Sequence, residues 1–278
     1  MTSPSGEQFE IAFGDQRAVV VEVGGGLRSY EVGGTPVLDG YGEDEICRSG
    51  RGQVLAPWPN RLHDGRYEFG GRQLQLPIND LATNSAIHGL VRWANWRVRD
   101  RDDAGVVMAH RLHPQPGYPF TLDIEIAYRL ADDGLSVTTT ATNAGDEPCP
   151  YGSGAHPYLT LGRRVDDVVL RVPGRGDYDF REPRAIGDTV LDTCFSDLER
   201  DDDGLARVTL DDTLTLWVDA AYGFLMVFTG DPLPDVNRRA LAVEPMTCPP
   251  NALQTGEHVA VLAPGASHTG RWGIAHGR

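Results

Sequence analysis

The sequence contains no lysine; all 25 of its basic residues are arginine. Schiff-base catalysis and a phosphate-loop lysine are therefore excluded, leaving proton transfer and nucleophilic work to His, Asp, Glu, Tyr and Cys. Positive charge is scarce overall, with 40 acidic residues giving a net charge of −15. No basic face is available for nucleic acid or an anionic membrane, and the plain reading of the acidity is solubility. Cysteine is sparse: Cys47, Cys149, Cys194 and Cys248 form no CxxC pair, so neither a zinc knuckle nor a disulfide framework is signalled and the thiols read as reduced. The N-terminal MTSPSGEQFE has neither a basic nor an apolar run, and no apolar stretch reaches membrane-spanning length, so the expectation is a cytoplasmic protein. The pair His110 and His113 lacks a nearby carboxylate or third histidine and does not read as a metal site. Gly24–Gly26 is followed by no helix and is not a phosphate loop.

A helical period over three turns is also missing. What stands in its place, with 33 glycines and 19 prolines, is a series of short β-rich runs between turns. The stretch from Phe9 to Val23 reads as a hairpin turning at Gly14-Asp15, and RYEFGGRQLQLPI as another turning at Gly70-Gly71. In FTLDIEIAYRL, Phe120, Leu122, Ile124, Ile126 and Tyr128 point one way while Thr121, Asp123, Glu125 and Arg129 point the other. A turn at Asp132-Asp133-Gly134 leads to the threonine-rich LSVTTTATNAG, giving the most secure hairpin in the chain. Further runs are VVLRVP, ARVTLDDTLTLWVD, FLMVFTG, RALAVEP, EHVAVLAP and SHTGRWGIA. This spacing predicts an all-β antiparallel sandwich, and the absence of any linker makes residues 1–278 a single domain.

Four segments place titratable groups in stiff surroundings. In LAPWPNRLHDGRYEFGG two prolines bracket Trp58 and hold Asn60-Arg61; NSAIHGLVRWANW presents His88; YGSGAHPYLTLG presents His156; and ALAVEPMTCPPNAL carries Glu244 at the end of an apolar run, where desolvation lifts a carboxyl pKa. Singly, each has a plain structural explanation, whether an ion pair, a satisfied loop histidine or a buried partner for an arginine.

Taken together, PWPNRL, IHGLVRW, GAHPYLTLG, LDTCF and VEPMTCPPNAL resemble, in order and spacing, the galactose mutarotase (aldose 1-epimerase) family. The APWPNR and EPMTCPPNA forms are similar to a bacterial branch that includes a sulfoquinovose mutarotase. The resemblance implies a large antiparallel β-sandwich with a sugar in an open cleft on one sheet face, no cofactor or metal, and a small-molecule sugar as partner. It implies His156 as general acid and Glu244 as general base. It also implies that Arg61, preceded by Asn60, orients the sugar, that His88 helps fix the ring oxygen, and that Asp192 accepts hydrogen bonds from sugar hydroxyls. Two positions depart: Met226 stands where relatives often carry glutamine, and Gly89-Leu90 where a glycine pair is usual.

Mutarotation takes a proton from the anomeric hydroxyl while giving one to the ring oxygen, after which the open aldehyde rotates and recloses. A carboxylate base and an imidazolium acid on opposite sides of the acetal centre suffice, each contributing about 10² to 10⁴ in rate. Arg61 holds oxygens without titrating. Trp58, Trp93 or Tyr158 are candidates for packing on the sugar ring, and Arg92 and Arg163 would favour an anionic sugar if they lie in the cleft. The rival readings are a non-catalytic sugar-binding sandwich and a glycoside hydrolase using Asp192 with Glu244 as its two carboxylates.

Overall fold

A computed structural model describes residues 3–277. Every pair of named strands in it is antiparallel. The largest sheet has nine strands, with Gly105–Leu112, Leu122–Ala131, Gly134–Asn143 and Ser267–His276 at its centre. The second has six: Asp192–Phe195, Phe224–Phe228, Leu241–Met246, Gly154–Ala155 and Val54–Leu55 in order, with Tyr158–Leu159 also pairing with Leu241–Met246. A four-stranded sheet near the N-terminus begins with the hairpin Gln8–Phe13 and Gln16–Val21, and Arg66–Phe69 pairs with Arg72–Gln75 across Gly70-Gly71. The threonine-rich hairpin is in register from Leu122–Asn143 to Ala131–Gly134. Its apolar row is buried throughout, as period-two alternation requires.

The two large sheets form the sandwich. Ile126, Tyr128, Val137 and Trp272 of the nine-stranded sheet meet Val54, Gly154, Ala155 and Pro157 of the smaller one. Strand Leu241–Met246 is buried at every residue, which is why it reads as an unbroken apolar run instead of an alternation. Its odd positions, Leu241 and Val243, enter the main core with Leu225, Val227 and Phe195. Its even positions face outward: Ala242 packs with Tyr158, while Met246 packs with Met226 and Phe224. Glu244 shares that outer face. The sequence places Glu244 at a strand end because a proline follows, but the strand continues through Pro245, paired with Leu225, to Met246.

Candidate active site

The register of one strand brings the central pair together. Gly154 is paired with Met246 and Tyr158 with Ala242, so the same register, continued across Pro157, sets His156 opposite Glu244. His156 Nε2 lies 3.3 Å from Glu244 Oε1. Both are buried, at 5 % and 2 % exposure. The two groups therefore stand side by side, not on opposite sides of an acetal carbon. For the mutarotation implied by the resemblance this arrangement is suitable, because the ring oxygen and the anomeric hydroxyl are bonded to one carbon and would be served by neighbouring groups.

Burial dominates the electrostatics. Desolvation pushes the His156 imidazole down to about 3, while Glu244 is pushed well above the usual carboxylate range by desolvation, aided by Asp192 and opposed by Arg61. Both shifts favour the uncharged forms, a neutral imidazole beside a protonated carboxyl, over an imidazolium beside a carboxylate. His88 is likewise held neutral by desolvation, with His156, Arg92 and Arg61 adding to the effect. No protein group among the described residues pairs with His88 Nδ1, His156 Nδ1 or Glu244 Oε2. Three unpartnered buried polar atoms in one place mark a site built for something other than its own stability.

The surrounding groups fix this pair. His156 stacks on Tyr158 with ring centroids 4.9 Å apart and planes 21° apart, and His88 meets it edge-on at 5.3 Å. The Tyr158 hydroxyl donates to the Ser49 carbonyl at 3.0 Å. Arg51, 5 % exposed, ties this loop to Asp39 at 3.1 Å and to Asp235 at 2.7 Å. Gly50 has φ +76°, and a Cβ there would lie 2.9 Å from His156 Cδ2. Gly50→Ala is accordingly expected to displace the imidazole and lower turnover by about tenfold to a hundredfold with the fold retained; anomer-exchange rates beside a thermal melt check it.

Asn60 and Arg61 enter from the other side. Arg61 pairs with Ile87 in a short ladder, and the His88 N–H donates to the Asn60 carbonyl at 2.9 Å. Arg61 Nε donates to Asp80 at 2.8 Å, with Asp192 at 3.8 Å from its other arm. Burial would raise the Asp80 carboxyl, but Arg61 and Thr83 outweigh it and hold it below its ordinary value. Gly89 has φ +71° and its missing Cβ would lie 2.0 Å from the Ala56 carbonyl oxygen, so glycine is required there. Leu90 is not among the residues with positive φ, so its backbone does not call for glycine.

All six predicted site residues, Asn60, Arg61, His88, His156, Asp192 and Glu244, line one cavity of about 340 Å³. Tyr158, Trp93 and Arg92 line it too. Trp58 does not; it is 3 % exposed within the main core. Arg163 pairs with Asp211, outside the residues that line the cavity. Met226 is the cross-strand partner of both Cys194 and Glu244, so an apolar thioether stands in the row beside the carboxyl. His110 Nδ1–H donates to the Asn95 carbonyl at 3.0 Å, and His110 belongs to no metal-binding group among the described residues. Sequence reasoning misses Asp80, Gly50 and Asn79, which carry no motif and become visible only when the loops converge.

A profile of the aldose 1-epimerase family matches residues 7–275. An uncharacterized protein of Escherichia coli K12, YihR, is 32% identical over 288 residues, covering 95% of this chain and 91% of its own length. Among solved structures, a GalM/aldose epimerase homologue from C. elegans superposes with a TM-score of 0.84 at 18% identity, covering 98% of this chain and 99% of that one. The galactose 1-epimerase of Lactobacillus acidophilus NCFM does so with a TM-score of 0.79 at 20% identity, covering 98% and 95%.

Proposed function

The chain belongs to the aldose 1-epimerase family, and from that premise we propose that it interconverts the α and β anomers of a free aldose by ring opening and reclosure, with His156 and Glu244 exchanging the protons. The observation that carries this reading is the 3.3 Å contact of the two buried groups at the floor of a sugar-sized cavity. Ring opening draws on the minor form of the pair, in which the proton has crossed the 3.3 Å contact from the carboxyl to the imidazole; Glu244, now a carboxylate, takes the anomeric proton as His156 protonates the ring oxygen. The reverse transfers reclose the ring on either face of the aldehyde, so one proton shared by two groups serves both directions. Arg61, steadied by Asp80, holds the sugar's oxygens, and Asp192 accepts from its hydroxyls. Polarimetry of freshly dissolved α-glucose, α-galactose and sulfoquinovose tests the reading: faster approach to the equilibrium rotation supports it, and bound sugar with no acceleration would favour the sugar-binding alternative. The acidic charge supports our placing it in the cytoplasm; among the described residues no helix is long and apolar enough to cross a membrane.

Arg92 bears on the substrate. The other buried arginines are each held by two carboxylates, Arg51 by Asp39 and Asp235, and Arg238 by Asp166 and Asp231. Arg92 lines the cavity, is partly buried, and pairs with no carboxylate among the described residues, its guanidinium lying 5.9 Å from the centroid of the Trp93 ring; desolvation lowers its pKa. In a chain with so many carboxylates, a guanidinium in the sugar cleft that meets none of them supports an aldose bearing an anionic substituent, as sulfoquinovose does. Arg92→Leu is expected to lower kcat/KM for such a sugar by about ten- to a hundredfold while changing that for glucose little. Equal losses on both sugars would remove the assignment.

The shared proton also sets the pH dependence. A second proton enters the pair only below the depressed pKa of His156, and the last one leaves only above the raised pKa of Glu244. The profile of kcat/KM is therefore expected to stay flat through the ordinary imidazole value of about 6.5, with its acid limb well below. An acid limb centred near 6.5 would contradict a buried neutral His156.

A further inference from the structure

His88, His156 and Glu244 each present one donor atom, and the three atoms lie within 4.8 Å of one another. We propose that these residues bind a single divalent ion of the Zn²⁺ or Co²⁺ type, and that the ion inhibits the enzyme reversibly by occupying the place of the sugar's hemiacetal centre. Two imidazole nitrogens and one carboxylate oxygen are the donor set of three-ligand zinc sites, whereas Mg²⁺ and Ca²⁺ prefer oxygen alone. Zinc–ligand bonds of about 2.0–2.2 Å put tetrahedral ligand atoms about 3.3 Å apart. The His156–Glu244 edge already measures 3.3 Å.

Glu244 Oε2 has no protein partner to give up among the described residues, and the contact of His156 Nε2 with Glu244 Oε1 lies within the triad itself. The three residues are 8 %, 5 % and 2 % exposed, which shields the ligands on the protein side. The cavity of about 340 Å³ above them leaves the fourth position open and provides the ion's path from solvent. Asp80 and Asp192, on the same cavity wall, pair with Arg61 and offset its charge. Neither ring is braced by a carboxylate or carbonyl at Nδ1, and such bracing is what raises affinity in resident metal centres. The ion is therefore exchangeable.

Titration of chelator-stripped protein with Co²⁺, followed by visible absorption, tests the proposal independently of turnover. The expected result is a saturable ligand-field band at one equivalent, lost in His88→Ala and in the isosteric Glu244→Gln, retained in a His110→Ala/His113→Ala double variant, and displaced by Zn²⁺. Circular dichroism of each variant verifies its fold. No saturable band, a band that survives both His88→Ala and Glu244→Gln, or a band lost only with His110 and His113 would overturn it. With an active sugar in hand, Zn²⁺ raises the apparent KM and a chelator restores it. If no sugar is turned over, the epimerase reading fails while the spectrum still decides the metal site.

Discussion

Glu244→Gln is expected to cut kcat/KM for anomer exchange by about 10² to 10⁴ and to leave the melting temperature unchanged or higher. The carboxyl is 2 % exposed, and Oε2 has no protein partner among the described residues. Burial raises its pKa and favours the protonated form, so the native site carries the cost of desolvating it. Glutamine keeps the volume and the two polar atoms of the protonated acid and removes only the capacity to take up and release a proton. The row of Cys194, Met226 and Glu244 across three strands remains packed. Activity retained in a folded glutamine variant would end the role of Glu244 as base. A variant that simply failed to fold would contradict the view that this carboxyl serves chemistry and not stability.

The double variant His156→Gln/Glu244→Gln is expected to be scarcely less active than either single one. Two groups that pass one proton act as a unit, so removal of the first already removes what the second contributes. The 3.3 Å contact makes such coupling unavoidable. Independent roles would instead multiply the two losses. The measurement is kcat/KM of the three variants on one sugar, corrected for spontaneous mutarotation, with the glutamine at 156 checked for retention of the Tyr158 and Gly50 contacts by its melting temperature.

Much of the sandwich is legible in the sequence because a sheet with one wet face writes its own pattern. Phe120 to Tyr128 alternates with charged and polar residues, and the hairpin turns fall at Gly14, Gly70 and Asp132-Asp133 as their residue types demand. Leu241–Met246 is the opposite case: both faces are covered, alternation vanishes, and only the register reveals that Glu244 and Val243 look in different directions. The six site residues were found through motif order; composition supplied none of them. The pairing of His156 with Glu244 depends on a long-range strand register that no local signal encodes. For the same reason the sequence placed the acid and base on opposite sides of the sugar centre and charged the imidazole, since it carries no measure of burial. Trp58 follows this logic too: an aromatic between prolines suits a sugar platform or a core equally, and depth decides for the core.

Saturation transfer between the α and β anomeric protons of a sugar, recorded by NMR with equal amounts of native and Glu244→Gln protein, bears most directly on the proposed proton exchange. The account predicts rapid transfer with the native chain and the rate of buffer alone with the variant. Equal transfer with both, or none above buffer with the native chain on neutral and anionic aldoses alike, would contradict it.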